Sequence, residues 1–405
     1  MTNKQAAIEI INKLHRSGFQ ALLAGGCVRD MLLGRPAKDY DVATDAEPAD
    51  VIKLFKRTLK IGAKFGVVMV LAGGEQIEVA TFRSETGYTD GRHPGSVKFT
   101  SPIEDAKRRD FTINAMFYDP LQKEVIDYVD GRADLEKRIV RTVGVPKERF
   151  DEDYLRMLRA VRFCAQLGFG IEPKTWSAVC ANAKKIVRIS GERIAMELEG
   201  ILISPNRSIG ASMLITSGLA GAVFHGFTSR QSEMAVRVLE HLRKKVDFAL
   251  ALAALFVAWT TEAALEKMKV LKLSRNQIKH IKFLLAGRCK LLNKDMSLSE
   301  LKLIAAEPYF QDLYELQRAI QKAEKKSVAA LASLRRRIKA LGDIELKPRP
   351  ILNGDELIEL GAVPGPTLGQ LAQEMYIAQL EGQLETKKYA HQWVRNWLEK
   401  RRTIR

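Results

Sequence analysis

The residues with the plainest chemistry in this 405-residue chain stand near its start. Four apolar residues, Ala21 to Ala24, read as a short buried strand, and Gly25-Gly26 then lets the backbone turn tightly and approach whatever lies in front of it. Val28 to Leu33 reads as a helical turn or two carrying Arg29, where free N–H groups and the helix dipole favour a phosphate. Beyond Gly34-Arg35-Pro36 the chain becomes extended and delivers Asp39-Tyr40-Asp41. Residues i and i+2 of a strand face one side, so both carboxylates are expected to face the spot before the glycine turn. Hard oxygen ligands suit Mg²⁺, and a pair of such ions can activate an attacking oxygen and steady a leaving one. Taken singly, the glycines are a turn and the carboxylates a solvated strand end. Together they suit metal and triphosphate.

Two further polar sets follow. From Glu104 to Asp119, Arg108, Arg109, Asp110, Thr112 and Asn114 crowd before the apolar Ala115-Met116-Phe117. Arg109 can meet a phosphate, and Asp110 and Asn114 can hold a ribose. From Glu152 to Phe163 the pattern predicts a helix capped by Asp151, with Asp153 and Arg156 as neighbours on one face and Arg159 and Arg162 further along the spiral. A surface ion pair, worth under about 1 kcal/mol, is the plain reading of Asp153 and Arg156. The alternative is base recognition. Cytosine and adenine both present an amine beside a ring-nitrogen acceptor, which a carboxylate and a guanidinium can accept and donate to. Guanine and uracil would leave the same pair with mismatched polar groups. Arg159 and Arg162 could reach triphosphate oxygens.

The elements that must position these groups are a strand-rich first third and a helical remainder. Residues 4–16 predict an opening helix, Phe19–Ala24 a strand and 49–59 a helix. Phe65–Leu71 and Gln76–Phe82 predict a strand pair, with Glu78 and Ala80 on one face and Glu78 a possible third metal-facing carboxylate. Residues 83–99 show no period and predict a loop, and 126–131 a last strand and turn. From Ser204 onward the chain predicts helices, among them 213–224, 233–242 and a core helix within 247–259. Lys347-Pro348-Arg349-Pro350 reads as a linker.

In the order GGxVRDxLLG…DxD, RRDFTxNA, EDxxR (Glu152, Asp153, Arg156) and ERIxxEL (Glu192 to Leu198), these motifs resemble the class II tRNA nucleotidyltransferases, the CCA-adding enzymes, whose family includes bacterial poly(A) polymerases. The resemblance is dense over about residues 20–200. It implies an α+β fold: a polymerase-β-like nucleotidyltransferase head with a mixed sheet (1–140), then an all-α neck (141–205), body (206–346) and tail (347–405). It implies metal binding and catalysis by Asp39 and Asp41, two Mg²⁺ ions, and CTP and ATP as substrates. Nucleotide contacts are implied for Gly26, Arg29, Arg109, Asp153, Arg156, Arg159 and Arg162, beside the residue-based candidates Gly25, Asp110 and Asn114. The partner implied is the acceptor arm and 3′ end of tRNA. The loop at 83–99 resembles the flexible element of relatives that add the full CCA, with His93 where an arginine is commoner. Gly62-Ala63-Lys64-Phe65 is one basic residue short of the run found in poly(A) polymerases. Poly(A), CC-only or A-only addition, and a non-catalytic RNA-binding protein, are the alternatives.

A formal net charge of +17 points to a polyanionic partner such as nucleic acid, and the basic runs 267–290 and 322–339 are candidate phosphate contacts. No apolar run is long enough to span a membrane, and the N-terminal helix lacks a signal-peptide core. The expectation is a cytoplasmic protein with no membrane association and no obligate protein partner. The four cysteines form no CxxC pair and are expected to be buried small hydrophobes.

Overall fold

The computed structural model describes residues 1–59, 62, 65–86, 96–342 and 344–402. The chain forms two compact units, residues 1–236 with 262–274, and residues 237–261 with 275–405.

The first unit opens with α1 (Asn3–Arg16), started by a capping box between Thr2 and Gln5. It continues with β1 (Ala21–Ala24), α2 (Gly26–Leu32), β2 (Asp41–Thr44), α3 (Pro48–Leu54), β3 (Thr58–Leu59), β4 (Val67–Ala72), β5 (Glu75–Thr81), β6 (Arg83–Thr86), β7 (Ser96–Phe99), α4 (Pro102–Arg108), β8 (Phe117–Asp119) and β9 (Glu124–Ile126). Seven strands pair in the order β3-β4-β5-β2-β1-β8-β9. The sheet is mixed because β2 runs parallel to β5 while its other pairings are antiparallel. Ile10, Ile11 and Leu14 of α1 pack with Leu23, Val42 and Val79 into one core beneath it.

Beyond the sheet come α5 (Gly131–Glu136), β10 (Ile139–Val140), α6 (Pro146–Glu152), α7 (Leu155–Leu167), β11 (Gly170–Ile171), α8 (Pro173–Asn182) and α9 (Gly191–Leu202). The second polar motif is anchored to α7 through Phe111 and Phe163, whose rings meet edge to face at 5.5 Å. Buried Thr112 is fixed from the other side by Asp134, whose Oδ2 accepts its hydroxyl at 2.7 Å.

Several predicted boundaries move, each for a local reason. The predicted helix 49–59 ends at Leu54, because Phe55 turns extended and Thr58–Leu59 pairs with Met69 and Val70 of β4. The ends of the predicted loop 83–99 form a two-stranded ladder, Arg83↔Phe99 to Thr86↔Ser96; residues 87–95, His93 among them, lie outside the described residues. Ala63 and Lys64 of the short basic run lie outside them too. The first strand begins at Ala21, and the strand predicted from 126 is β9, which begins at Glu124 and ends at Ile126.

The predicted helix 152–163 is two helices. Asp151-Glu152-Asp153 puts three acids at the C-terminal end of α6, where the helix dipole disfavours them, and Asp153 leaves the helix at φ −151°. Its Oδ1 then accepts the N–H of Leu155 at 2.9 Å, so Asp153 rather than Asp151 bonds the start of the helix that carries the arginines, one residue ahead of Tyr154 at the N-cap position. The predicted helix 213–224 likewise breaks at Gly218 (φ +83°), into Arg207–Thr216 and Leu219–Phe224.

The second unit is helical. Its centre is the helix Phe248–Leu255, with all eight residues buried and Asp247 as its cap. The C-terminal helices Gly354–Glu359, Pro366–Leu380 and Lys387–Arg402 enclose a separate apolar cluster of Leu352, Leu357, Leu371, Met375 and Val394. Lys302, buried on the helix Leu298–Ala305, donates to the carbonyl of Leu380 at 2.7 Å and ties the cluster to the rest of this unit. Among the described residues no helix is long and apolar enough to cross a membrane. Cys27 and Cys164 are buried as expected, and burial raises both thiols, to about 11 and about 12. Cys180 and Cys289 are exposed, against expectation.

Candidate active site

A cleft of about 680 Å³ opens over the sheet, between the β1–α2 turn, the polar motif after α4, and the break between α6 and α7. All the site residues expected from sequence line it: Gly25, Gly26 and Arg29; Asp39 and Asp41; Arg109, Asp110 and Asn114; and Asp153, Arg156, Arg159 and Arg162. Glu78, Arg83, Arg108 and Arg193 line it too.

Its floor is acidic. Asp41 begins β2, and Asp39 lies just before the strand rather than on it. The parallel register Val42↔Val79 places Glu78 beside Asp41 on the neighbouring strand. Alternation along β5 buries Ile77 and Val79 and turns Glu78 and Ala80 toward the cleft. Loss of hydration, then the charges of Glu78 and Asp39, push the Asp41 carboxyl up to about 6, against the pull of Arg109.

The glycine turn and Arg109 fit into one another. Gly25 has φ +75°, and a Cβ there would stand 3.0 Å from Nη1 of Arg109. That nitrogen donates to the carbonyl of Asn114 at 3.3 Å, and the guanidinium lies over the Phe117 ring at 5.0 Å. Arg29 donates from Nη1 to Oδ1 of Asn114 at 2.7 Å and from Nε to Asp30 at 2.9 Å. The Asn114 oxygen is thus taken, and its amide hydrogens are the part suited to a ligand hydroxyl.

The basic wall is held by one buried and one half-buried acid. Asp105, only 1% exposed, accepts from Arg108 at 2.6 Å and from Arg109 at 3.1 Å. Burial opposes its charge, but the two guanidiniums win and hold its carboxyl below the usual range. The spacing of Asp105 and Arg108 on α4, with Arg109 just past its end, was the available signal for this clamp. Asp110 pairs with Arg159 through Oδ2 at 2.5 Å, and Oδ1 accepts the N–H of Phe111 at 2.8 Å. Burial again opposes the charge, and Arg159, with Arg156 behind it, holds the carboxyl low.

Asp153 and Arg156 do not pair through their side chains as the single-helix picture implied. Arg156 donates to Glu152 and to the carbonyl of Arg149, the latter at 2.9 Å. Asp153 accepts from Arg193 at 2.6 Å. Arg162 is met by Glu197 at 2.6 Å. Among the described residues, the three-residue grouping whose ligand atoms lie within 4.8 Å of one another is in the second unit: Asp247, His280 and Asp312. Arg243 already supplies Asp312 with a cation at 2.5 Å, and Tyr309 stacks on the imidazole at 4.0 Å.

Residues 21–141 match the Poly A polymerase head domain, and residues 168–230 match the family described as the probable RNA and SrmB-binding site of polymerase A. A CCA-adding enzyme of Lactiplantibacillus plantarum is 37% identical, over 91% of this chain and 89% of its own length. One of Streptococcus gordonii is 35% identical, over 94% of each. Among solved structures, the Bacillus stearothermophilus CCA-adding enzyme in complex with CTP matches with a TM-score of 0.83 and 31% identity over the whole of both chains. A Thermotoga maritima CCA-adding enzyme complexed with tRNA_CCA shares the fold at a TM-score of 0.67 and 22% identity, over 96% of this chain and 94% of that one. The chain belongs to the CCA-adding enzyme family of nucleotidyltransferases.

Proposed function

We propose that this protein completes the 3′ end of tRNA in the cytoplasm, adding C, C and A from CTP and ATP and releasing pyrophosphate. The observation that carries this reading is the cleft itself. An acidic floor at Asp39, Asp41 and Glu78 faces an arginine wall, with Asp153 at the helix break on the rim. Burial first, and then the charges of Glu78 and Asp39, raise Asp41 to about 6, and a divalent cation would offset both, so the floor fits Mg²⁺. Asp39 and Asp41 would hold two ions, with Glu78 as a neighbouring third carboxylate. Bound there, magnesium would activate the attacking oxygen and neutralise charge on the leaving group.

The terminal 3′-hydroxyl of the tRNA attacks the α-phosphate, a new phosphodiester forms, the α–β bond breaks and the hydroxyl proton passes to solvent. The chain's own part is placement. Gly25 and Gly26 let the backbone approach the triphosphate, and Arg29, Arg109, Arg159 and Arg162 face its charge. Asn114, through its amide hydrogens, and Asp110 hold the ribose. Asp110 also keeps Arg159 extended toward the phosphates. Asp153 accepts the exocyclic amine shared by cytosine and adenine, and Arg156 donates to the adjoining ring nitrogen. Guanine and uracil present a carbonyl to Asp153, and the desolvated mismatch rejects them. The head, neck, body and tail divide at residues 140, 205 and 346 in this reading, with the helical parts holding the tRNA through phosphates.

Primer extension tests the proposal. With purified protein, Mg²⁺, CTP and ATP, a tRNA transcript lacking CCA should gain three nucleotides and then stop, and GTP and UTP should not be used. A long ladder of A, or addition to the CC-ended transcript alone, would identify a poly(A) or A-only enzyme. A stop after two cytidines would identify a CC-only one, and no incorporation a binding protein.

A further inference from the structure

In the second unit a buried histidine sits between two carboxylates. His280 falls on the core side of the helix Arg275–Gly287, with Ile281, Leu284 and Leu285, and is 6% exposed. Its two ring nitrogens face different acids. Nδ1 stands 3.6 Å from Oδ2 of Asp247, and Nε2 stands 3.2 Å from Oδ2 of Asp312. Asp247 caps the helix Phe248–Leu255 and Asp312 lies in the first turn of the helix Phe310–Ala323, so three helices meet at one ring. In each acid the other oxygen is engaged in the fold: Oδ1 of Asp247 accepts the N–H of Leu250 at 2.8 Å, and Oδ1 of Asp312 accepts from Arg243 at 2.5 Å. Tyr309 stacks on the imidazole at 4.0 Å, 12° from parallel, and holds its plane.

This arrangement is short of positive charge. A neutral imidazole has one N–H, so it can donate to one of the two facing oxygens, and its remaining lone pair points at the other. Nε2 is buried without a hydrogen bond, and 3.6 Å at Nδ1 is beyond hydrogen-bond reach. A buried nitrogen left unpaired beside an anion costs free energy. Arg243 bonds Oδ1 of Asp312 and leaves the ring as it is. The same distances suit a metal. Zinc binds imidazole nitrogen and carboxylate oxygen at about 2.0–2.2 Å, so two ligands at a tetrahedral angle stand about 3.4 Å apart. The distances of 3.2 and 3.6 Å bracket that value, and one ligand atom from each of the three residues lies within 4.8 Å of the others. A ring nitrogen that binds the ion leaves the other N–H to donate to a carboxylate, the arrangement that orients a metal-bound histidine. The Asp247 side chain is 54% exposed, which gives the ion a way in and lets water complete its coordination.

We propose that Asp247, His280 and Asp312 form a binding site for one divalent transition-metal ion of the zinc type, separate from the acids of the cleft floor. An imidazole ligand favours such ions over magnesium, which keeps to oxygen. Bound there, the ion ties three helices of the second unit together and stabilises the folded chain by mass action.

The test is calorimetric titration of zinc chloride into purified protein freed of metal by a chelator, with Mg²⁺ present throughout to occupy the cleft floor. Wild type, His280→Gln, Asp247→Asn and Asp41→Asn are compared, with melting curves for each. Wild type and Asp41→Asn should each bind one zinc more than His280→Gln, and that zinc should raise their melting temperature but not that of His280→Gln. Asp247→Asn keeps a side-chain oxygen for the Leu250 cap, so it serves should His280→Gln fold poorly. It should weaken the same zinc by about tenfold or more. Equal zinc in wild type and His280→Gln would overturn the site and leave a second proton as the cation on the ring. Wild-type zinc affinity in Asp247→Asn would overturn it as well. Loss of the zinc in Asp41→Asn would place the ion on the cleft floor and overturn it too.

Discussion

The two sides of the cleft handle charge in opposite ways. On the floor, Asp41 stands beside Glu78 and near Asp39, and lost hydration together with these like charges raises its carboxyl to about 6. On the wall, buried and half-buried acids answer the arginines: Asp105 clamps Arg108 and Arg109, Asp110 holds Arg159, and Glu197 holds Arg162. Burial costs Asp105 and Asp41 alike, but Asp105 bonds two guanidiniums that outweigh the cost, whereas the pull of Arg109 on Asp41 does not. The difference separates groups placed in advance from groups that wait for a ligand. The wall is pre-organised for an anion, and the floor is left short of positive charge where a cation is to bind.

The sharpest way to break this comparison is through the floor. Asp39→Ala or Asp41→Ala should lower single-turnover nucleotide transfer by about a thousandfold or more, since a metal site contributes several kcal/mol to the transition state. The melting temperature should not fall. Transfer within tenfold of wild type in either variant would remove the metal assignment. The wall should respond the other way round. Asp105→Asn should destabilise the protein by about 3 kcal/mol, because it leaves Arg108 and Arg109 without their charged partner. Urea unfolding measures this, and a loss under about 1 kcal/mol would mean the clamp is not structural.

The floor was more legible in the sequence than the wall. Asp39, Asp41 and Gly25-Gly26 act through spacing along one short stretch, and a strand period and a turn residue suffice to bring them together. Glu78 could be flagged because alternation along β5 fixes its face, although its neighbour on β2 depends on a parallel pairing that no local signal specifies. The partners of the wall lie far apart in sequence: Arg159 finds Asp110, Arg162 finds Glu197, and Asp153 finds Arg193. Pattern reading could place Asp153 and Arg156 together only by assuming one continuous helix. The acids closing α6 broke that assumption, and Asp153 bonds the first N–H of α7 from outside the helix instead. The same limit applies to Gly191, whose necessity comes from the carbonyl of Val270 and has no signal in its own neighbourhood.

The contrast between floor and wall can be read directly from stability against pH. Asp41 has a raised carboxyl, so its contribution is fully present below the ordinary aspartate value of about 3.9 and is lost as pH rises through about 6. Asp105 has a lowered carboxyl, so its contribution is present above that ordinary value and is lost as pH falls further. The decisive measurement is the melting temperature of wild type and Asp41→Asn between pH 4 and pH 7, each with and without Mg²⁺. Wild type without magnesium should lose stability relative to Asp41→Asn as pH climbs from about 4 to about 6, and magnesium at pH 7 should recover the loss in wild type alone. An Asp41→Asn variant that melts below magnesium-free wild type at pH 7, or that gains as much from magnesium, would contradict a floor built to receive a cation.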